Sequence, residues 1–431
     1  MIAEESVQGA APNRWLQLLV GVACMVMIAN LQYGWTYFVN PMKDANHWSL
    51  AAIQVAFSIF VLAETWLIPI EGWFVDKFGP KFVVMVGGVI VAIGWTVNSV
   101  ATSLPVLYLG AIVSGVGAGC VYGTCVGNAL KWFADRRGLA AGLTAGGFGA
   151  GAAATVIPII NTINSYGYRA AFLWFGLGQG VIILLLSPLL KAPRPGQVAL
   201  SKRPKLGQSA RDFAPREMLK APLFWTLYLM FTMVAAGGLM ATAQLGPIAR
   251  DFGLDKMQVV FLGIAGTTLV MAGIVDNILN GIARPFFGWV SDNIGREPTM
   301  FIAFAGGALA MGGLTAFGHQ PLAFVLLFGM IYFTWGEIYS LFPATCTDAF
   351  GAKYAATNAG LLYTAKGTAA IFGGPLAAWL VSLTGGWESV FWVSAAMDLA
   401  AALMALFVLK PMRTAHQASV SAVHAEAQLV K

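Results

Sequence analysis

Two cations lie where a bilayer should exclude them. Arg284 and Lys366 are the only Lys or Arg residues inside twelve long apolar segments of this chain; the other twenty-three fall in loops, tails or segment ends. A cation in hydrocarbon costs about 2.5–3.5 kcal/mol even on lenient insertion scales, so it is kept where it faces a polar cavity or an ion path. Two of them on different helices predict a site for a small anion. Asp276, Asn277, Asn280 and Arg284 form a polar stripe in which positions 276, 280 and 284 share one helix face. Such a stripe must face protein or water rather than lipid. A guanidinium there can fork a carboxylate through two hydrogen bonds. The competing reading is an ion pair with Asp276, but eight residues of helix separate the two by about 12 Å, too far for a relaxed direct pair. Lys366 has no opposite charge nearby in sequence, and its competing partner is Glu337. Opposite charges 4 Å apart gain about 4 kcal/mol at an effective dielectric of 20, so a short dicarboxylate could satisfy both cations at once.

The elements that carry these residues are membrane helices. The chain has 431 residues, 58% of them hydrophobic and 10% charged, where soluble domains carry about 25% charged residues. A spanning helix needs about 20 apolar residues. Spans are predicted at 14–39, 50–75, 82–101, 105–131, 138–162, 169–190, 222–249, 258–290, 299–318, 321–347, 357–383 and 387–410. This divides the chain into an N-terminal six-helix bundle (1–190), a cytoplasmic linker (191–221), a C-terminal six-helix bundle (222–410) and a cytoplasmic tail (411–431). The linker holds Lys191, Arg194, Lys202, Arg203, Lys205, Arg211, Arg216 and Lys220, with prolines at 193, 195, 204 and 215. With both termini inside, nineteen Lys and Arg fall on the cytoplasmic side and four, Lys43, Arg169, Arg250 and Lys256, on the other, the bias expected of cytoplasmic loops. The net charge of +6 is explained by that topology, not by nucleic-acid binding. Residues 1–13, with Glu4 and Glu5, lack the basic region and cleavage site of a secretory signal, so the first span should be retained.

Several chemistries are not encoded. Cys24, Cys120, Cys125 and Cys346 show no paired metal spacing, and His47, His319, His416 and His424 lie in loops or the tail, so neither a metal nor another cofactor is expected. The glycine-rich runs at 114–119 and 145–151 lack the preceding strand of a phosphate loop and are expected to pack helices closely. No nucleophile, base and cofactor set appears, so an enzyme is not expected. An anion receptor that signals would need larger cytoplasmic segments.

An internal repeat sets the architecture. Pro69, Gly72, Trp73, Asp76 and Gly79 recur as Pro285, Gly288, Trp289, Asp292 and Gly295, each pair 216 positions apart, and Tyr122 and Phe133 recur at Tyr339 and Phe350, 217 apart. Two parallel repeats imply a pseudo-two-fold axis along the membrane normal and a central cavity at the midplane. Gln32 and Tyr33 in span one, Tyr122 in span four, Trp335 and Tyr339 in span ten and Tyr363 in span eleven are candidates for the cavity walls. Tyr122 and Tyr339 are expected to face each other over the axis.

The run GWFVDKFGPK at 72–81, its degenerate copy at 288–296 and the twelve-span layout resemble the major facilitator superfamily over essentially the whole chain. The resemblance implies an all-α membrane protein of two six-helix bundles, with Asp76 and Asp292 as gating residues. QYGWTY at 32–37, VDKFGP at 75–80, NGIARPFFGWVSD at 280–292, FTWGEIYSLFP at 333–343 and AKGTAAIFGG at 365–374 resemble the bacterial oxalate:formate antiporter family within it. That likeness implies that Arg284 and Lys366 bind carboxylates, that Gln32, Tyr33, Tyr122, Trp335 and Tyr339 line the cavity, and that divalent oxalate is exchanged one for one, and hence electrogenically, for monovalent formate by an inner-membrane carrier, expected to act as a monomer. There are departures. Tyr363 stands where that family has a tryptophan, and Glu64, Asp276 and Glu337 are acidic where neutral residues are expected. Burial raises a carboxylate's pKa, so such acids could carry a proton with the substrate. The alternative reading is therefore a proton-coupled monocarboxylate symporter.

Overall fold

Prolines and glycines punctuate the chain into its rods. In the computed structural model, which describes residues 13–194, 197–198, 207–209 and 211–429, Pro80, Pro105, Pro222 and Pro321 each stand in the first turn of a helix, where a missing N–H costs nothing and the fixed φ suits the helix. Glu4, Glu5, Pro195, Lys202, Arg203, Pro204 and Lys205 lie outside the described residues. Span one is Arg14–Tyr33 continued by Trp35–Asn46, and span two is Leu50–Trp66 continued by Ile68–Phe78. Span three is Pro80–Ser99 and span four Leu104–Trp132. Spans five and six form one run, Arg137–Leu186, divided at Gly167, whose φ of 83° breaks the helix. Span seven is Pro222–Asp251, eight Thr268–Ile294, nine Arg296–Phe317, ten Pro321–Gly336 continued by Ile338–Phe350, eleven Ala355–Thr384 and twelve Glu388–Met404. Among the described residues, nine helices are long and apolar enough to cross a membrane by length and composition. Gly79 and Gly295, equivalent in the repeat, turn the chain between spans two and three and between eight and nine with φ of 84° and 107°, values that favour glycine.

One predicted boundary is corrected. Residues 258–267 do not begin span eight. Gln258–Phe261 and Ile264–Thr267 form an antiparallel hairpin, and the helix starts at Thr268. Val259, Val260, Ile264 and Thr267 are β-branched and suit a pleated strand. Leu262 and Gly263 supply the two positive φ angles of a tight hairpin turn. Apolarity alone had merged hairpin and helix.

The twelve spans form two pseudo-symmetric six-helix bundles. Large apolar side chains such as Leu185, Leu309 and Phe407 point outward, as a surface solvated by lipid requires. The bundles meet where span five packs on span eight and span eleven packs on spans two and four. Small residues set that distance. A Cβ on Gly142 would lie 2.7 Å from the carbonyl carbon of Arg284 and 2.8 Å from Cα of Pro285. A Cβ on Gly72 would lie 2.7 Å from the backbone of Ala356.

The linker and tail dock on the second bundle. Ser209 and Phe213 donate backbone N–H groups to the carbonyls of Asp348 and Phe350, at 2.8 and 2.9 Å. The expected tail is a helix, Lys410–Leu429. Its Arg413 pairs with Glu297, and its His416 ring lies 5.1 Å from Phe213 and 5.4 Å from Phe350.

Two outcomes are expected. Gly142→Val should keep spans five and eight apart, since overpacking a tight contact costs about 1–3 kcal/mol. A roughly tenfold or greater fall in transport rate, with the melting temperature in detergent little changed, would be the sign. Burial holds the His416 imidazole below its ordinary 6.5. The docked state therefore favours the neutral ring: docking is complete above 6.5 and weakens as pH falls from 6.5 through the depressed value. Protease cleavage of the tail should speed up over that interval, and His416→Phe should remove the dependence.

Candidate functional site

Arg284 and Lys366 meet around one aromatic ring. The Arg284 guanidinium carbon lies 4.5 Å from the centroid of Tyr339, and Lys366 Nζ lies 5.6 Å from the same centroid. Each cation is 1% exposed. They therefore lie within about 10 Å of each other and repel by at least about 1.5 kcal/mol at an effective dielectric of 20. The ring between them offers its electron-rich face to both.

Each cation has a distinct set of partners. Arg284 donates from Nη1 to the Ala145 carbonyl at 2.8 Å, and from Nη2 to Asn280 Oδ1 at 2.8 Å and the Tyr33 hydroxyl at 3.2 Å. Its buried Nε makes no hydrogen bond among the described residues. Asp276 is not its partner, as the helix geometry requires, and neither Asp276 oxygen has a hydrogen-bond partner among the described residues. Lys366 donates to Gln32 Oε1 at 3.3 Å, Tyr363 hydroxyl at 3.2 Å and Glu64 Oε2 at 3.5 Å. The acid on Lys366 is thus Glu64 of span two, not Glu337. Glu337 stands at the joint of span ten, fully buried, with both oxygens lacking a hydrogen bond among the described residues.

Aromatic residues wall the space. Tyr122 and Tyr339 do not stack on each other; Tyr363 lies between them, 4.8 Å from Tyr122 and 6.0 Å from Tyr339. Trp335 meets Tyr339 edge-on at 5.5 Å, with its Nε1 unpartnered. Phe148, which sequence reasoning did not single out, packs edge-on against Tyr33 at 5.2 Å and Tyr122 at 5.5 Å.

Below the site, the two bundles are latched by reciprocal contacts. Asp76 of span two accepts from the backbone N–H of Thr357 at 3.1 Å and from its hydroxyl at 2.6 Å, at the start of span eleven. Asp292 of span eight accepts from Gly138 and Leu139 N–H at 3.0 and 2.8 Å, at the start of span five. Each aspartate thus places its charge on a helix N-terminus of the other bundle, where the dipole favours an anion. Asp76 also holds Lys131 at 2.6 Å, and Asp292 holds Arg296 at 2.7 Å. Arg296 and Arg137 both reach Asp348, at 3.0 and 2.8 Å. Arg137, Arg296 and Asp348 were not foreseen as functional. Arg137 and Arg296 counted only toward topology, and the hint for Asp348 lay in the repeat, since it stands 217 positions after Lys131.

Twin bundles joined around a buried charged and aromatic cluster and latched by an aspartate at each joint define a transporter fold. The chain matches the Major Facilitator Superfamily model over residues 21–369 and 277–431 and belongs to that superfamily. It is 38% identical to the oxalate:formate antiporter of Oxalobacter formigenes over 94% of this chain and 93% of that one. It is 26% identical to monocarboxylate transporter 13 of Bos taurus, over 90% and 87% of the two chains. The solved structure of the proton:xylose symporter XylE superposes with a TM-score of 0.69 at 16% identity, covering 92% of this chain and 96% of that one. The protein is a multi-pass membrane transporter and not an enzyme.

Asp292→Asn should loosen the latch. It removes the charge at the start of span five and leaves Arg296 with one carboxylate fewer, together about 1–2 kcal/mol. The native thiol of Cys346, fully buried in span ten, should then react with a maleimide roughly five- to thirtyfold faster by peptide mass spectrometry. An unchanged rate would remove Asp292 from the latch.

Proposed function

We propose that this carrier exchanges small carboxylates across a bacterial inner membrane by alternating access, with oxalate and formate as the exchanged pair. The observation that carries the reading is the convergence of two buried cations, Arg284 and Lys366, on the Tyr339 ring. A short dicarboxylate between them would relieve their repulsion and pair both. The kinship with an oxalate:formate antiporter supports the same pair. In this reading Gln32, Tyr33, Tyr122, Trp335 and Tyr363 shape the cavity, and Tyr33 and Gln32 yield their cation contacts to substrate oxygens. Asp76 and Asp292 act as gates. Their latch closes the cytoplasmic end and releases when the carrier turns inward. The split of nineteen Lys and Arg against four supports cytoplasmic termini and linker. In the same reading, one chain with its two bundles is the working unit, a monomer in the bilayer.

One observation favours a second reading, a proton-coupled monocarboxylate symporter: Glu64 lies on Lys366 and reduces the charge of the site. Asp276 and Glu337 have no contact with either cation and are weaker candidates for proton coupling.

The test is radiolabelled oxalate uptake into proteoliposomes preloaded with oxalate, formate, lactate or buffer. Uptake that requires internal oxalate or formate is expected. Uptake absent for oxalate but driven by external acid for lactate would select the symporter. Lys366→Gln should lower oxalate exchange by about 10- to 100-fold, the worth of a charge-assisted hydrogen bond. A variant exchanging at full rate would remove Lys366 from the site.

A further inference from the structure

The cavity holds a third charge that changes what can cross. Glu64 is fully buried, its Oε2 lies 3.5 Å from Lys366 Nζ, and its Oε1 has no hydrogen bond among the described residues. It comes from the first bundle and Lys366 from the second, so this ion pair spans the plane along which the bundles move. The groups around Glu64 are few. Span eleven brings Lys366 and Tyr363, and span one brings Gln32 to the same ammonium. Arg284, Tyr122 and Tyr339 lie within electrostatic reach of it. Gly115 and Gly119 of span four pack on the backbone of Glu64, and a second buried acid, Glu71 of span two, lies against Gly119 within electrostatic reach of Glu64. In the repeat, position 64 corresponds to position 280, where Asn280 bonds Arg284. An amide cannot take up a proton in this role, so only Lys366 has a counter-ion whose charge can change.

With Glu64 ionised, two cations and one carboxylate leave the site with a single positive charge. Formate, a monoanion, brings it to neutrality. Oxalate, a dianion, would leave one uncompensated negative charge in a low-dielectric interior, which is costly. Protonation of Glu64 restores neutrality and frees Lys366 for the second carboxylate.

We propose that Glu64 carries one proton with each oxalate and gives it up when formate is bound, so that exchange is electrically neutral and proton-linked. This rests on the oxalate–formate reading above. The proton comes from water on the side where oxalate binds. It rides on the Glu64 carboxyl and returns to water on the far side as Glu64 pairs again with Lys366. Oxalate plus a proton moves one net negative charge one way, and formate moves one back.

The test uses the full-length carrier in proteoliposomes containing formate and a pH-sensitive dye, with radiolabelled oxalate outside and the potential set by potassium and valinomycin. Wild-type exchange should be unaffected by an inside-negative potential, and the lumen should acidify by one proton per oxalate. Glu64→Gln should exchange without acidification and be slowed by the same potential, because each turnover now carries a net negative charge inward. Wild-type exchange that is slowed by the potential with no acidification overturns the proposal while leaving the antiporter intact. Acidification that persists in Glu64→Gln also overturns it. Absence of any oxalate–formate exchange in the wild type overturns the functional reading itself. Should Glu64→Gln fail to fold, the wild-type arm alone decides, with Glu64→Asp expected to retain the coupling.

Discussion

A charge removed from water must find its opposite or a dipole, and the rest of this molecule is arranged around that requirement. Born costs in a medium this apolar far exceed what helix packing alone could absorb. Cations near the bundle interface are matched by acids, with one exception. Lys131 has Asp76, Arg296 has Asp292 and Asp348, Arg137 has Asp348, and Lys366 has Glu64. Arg284 is the exception among the described residues of the cavity, held by a carbonyl, an amide and a phenol but by no carboxylate. This cation without a carboxylate sits where a substrate anion would be received.

The fold serves this by bringing backbone close where charge must be shared. Gly72 and Gly142 let helices of opposite bundles approach until a carboxylate from one reaches the N–H groups of the other. The same approach carries Glu64 to Lys366, 302 residues away in sequence. Packing and electrostatics are thus one device: a side chain on those glycines would separate both the latch and the site.

Much of this was legible in the sequence for a physical reason. A cation in an apolar run is conspicuous because hydrocarbon punishes it, so Arg284 and Lys366 stood out, and the repeat of Pro69 to Gly79 at Pro285 to Gly295 exposed the twin bundles. Partners were harder to read. Glu64 looked like an isolated acid, since nothing local in sequence reports a contact between bundles. Arg137, Arg296 and Asp348 sat at helix ends, where charges ordinarily meet water. The hairpin at 258–267 was hidden because apolar strands and apolar helices look alike without a boundary residue.

The latch is built of unequal halves. At one corner Asp76 crosses to the other bundle only through the N–H and hydroxyl of Thr357; at the other, Asp292 crosses to two N–H groups and a buried ion pair, Arg137 with Asp348, crosses beside it. Water can compete for the first contact more readily than for the buried ion pair of the second. Parting would therefore start as wetting at the Asp76 corner, with the Asp348 corner as the last point of contact. The two bundles would swing about that corner like a door on its jamb, and the first opening would be a narrow cleft beside spans two and eleven.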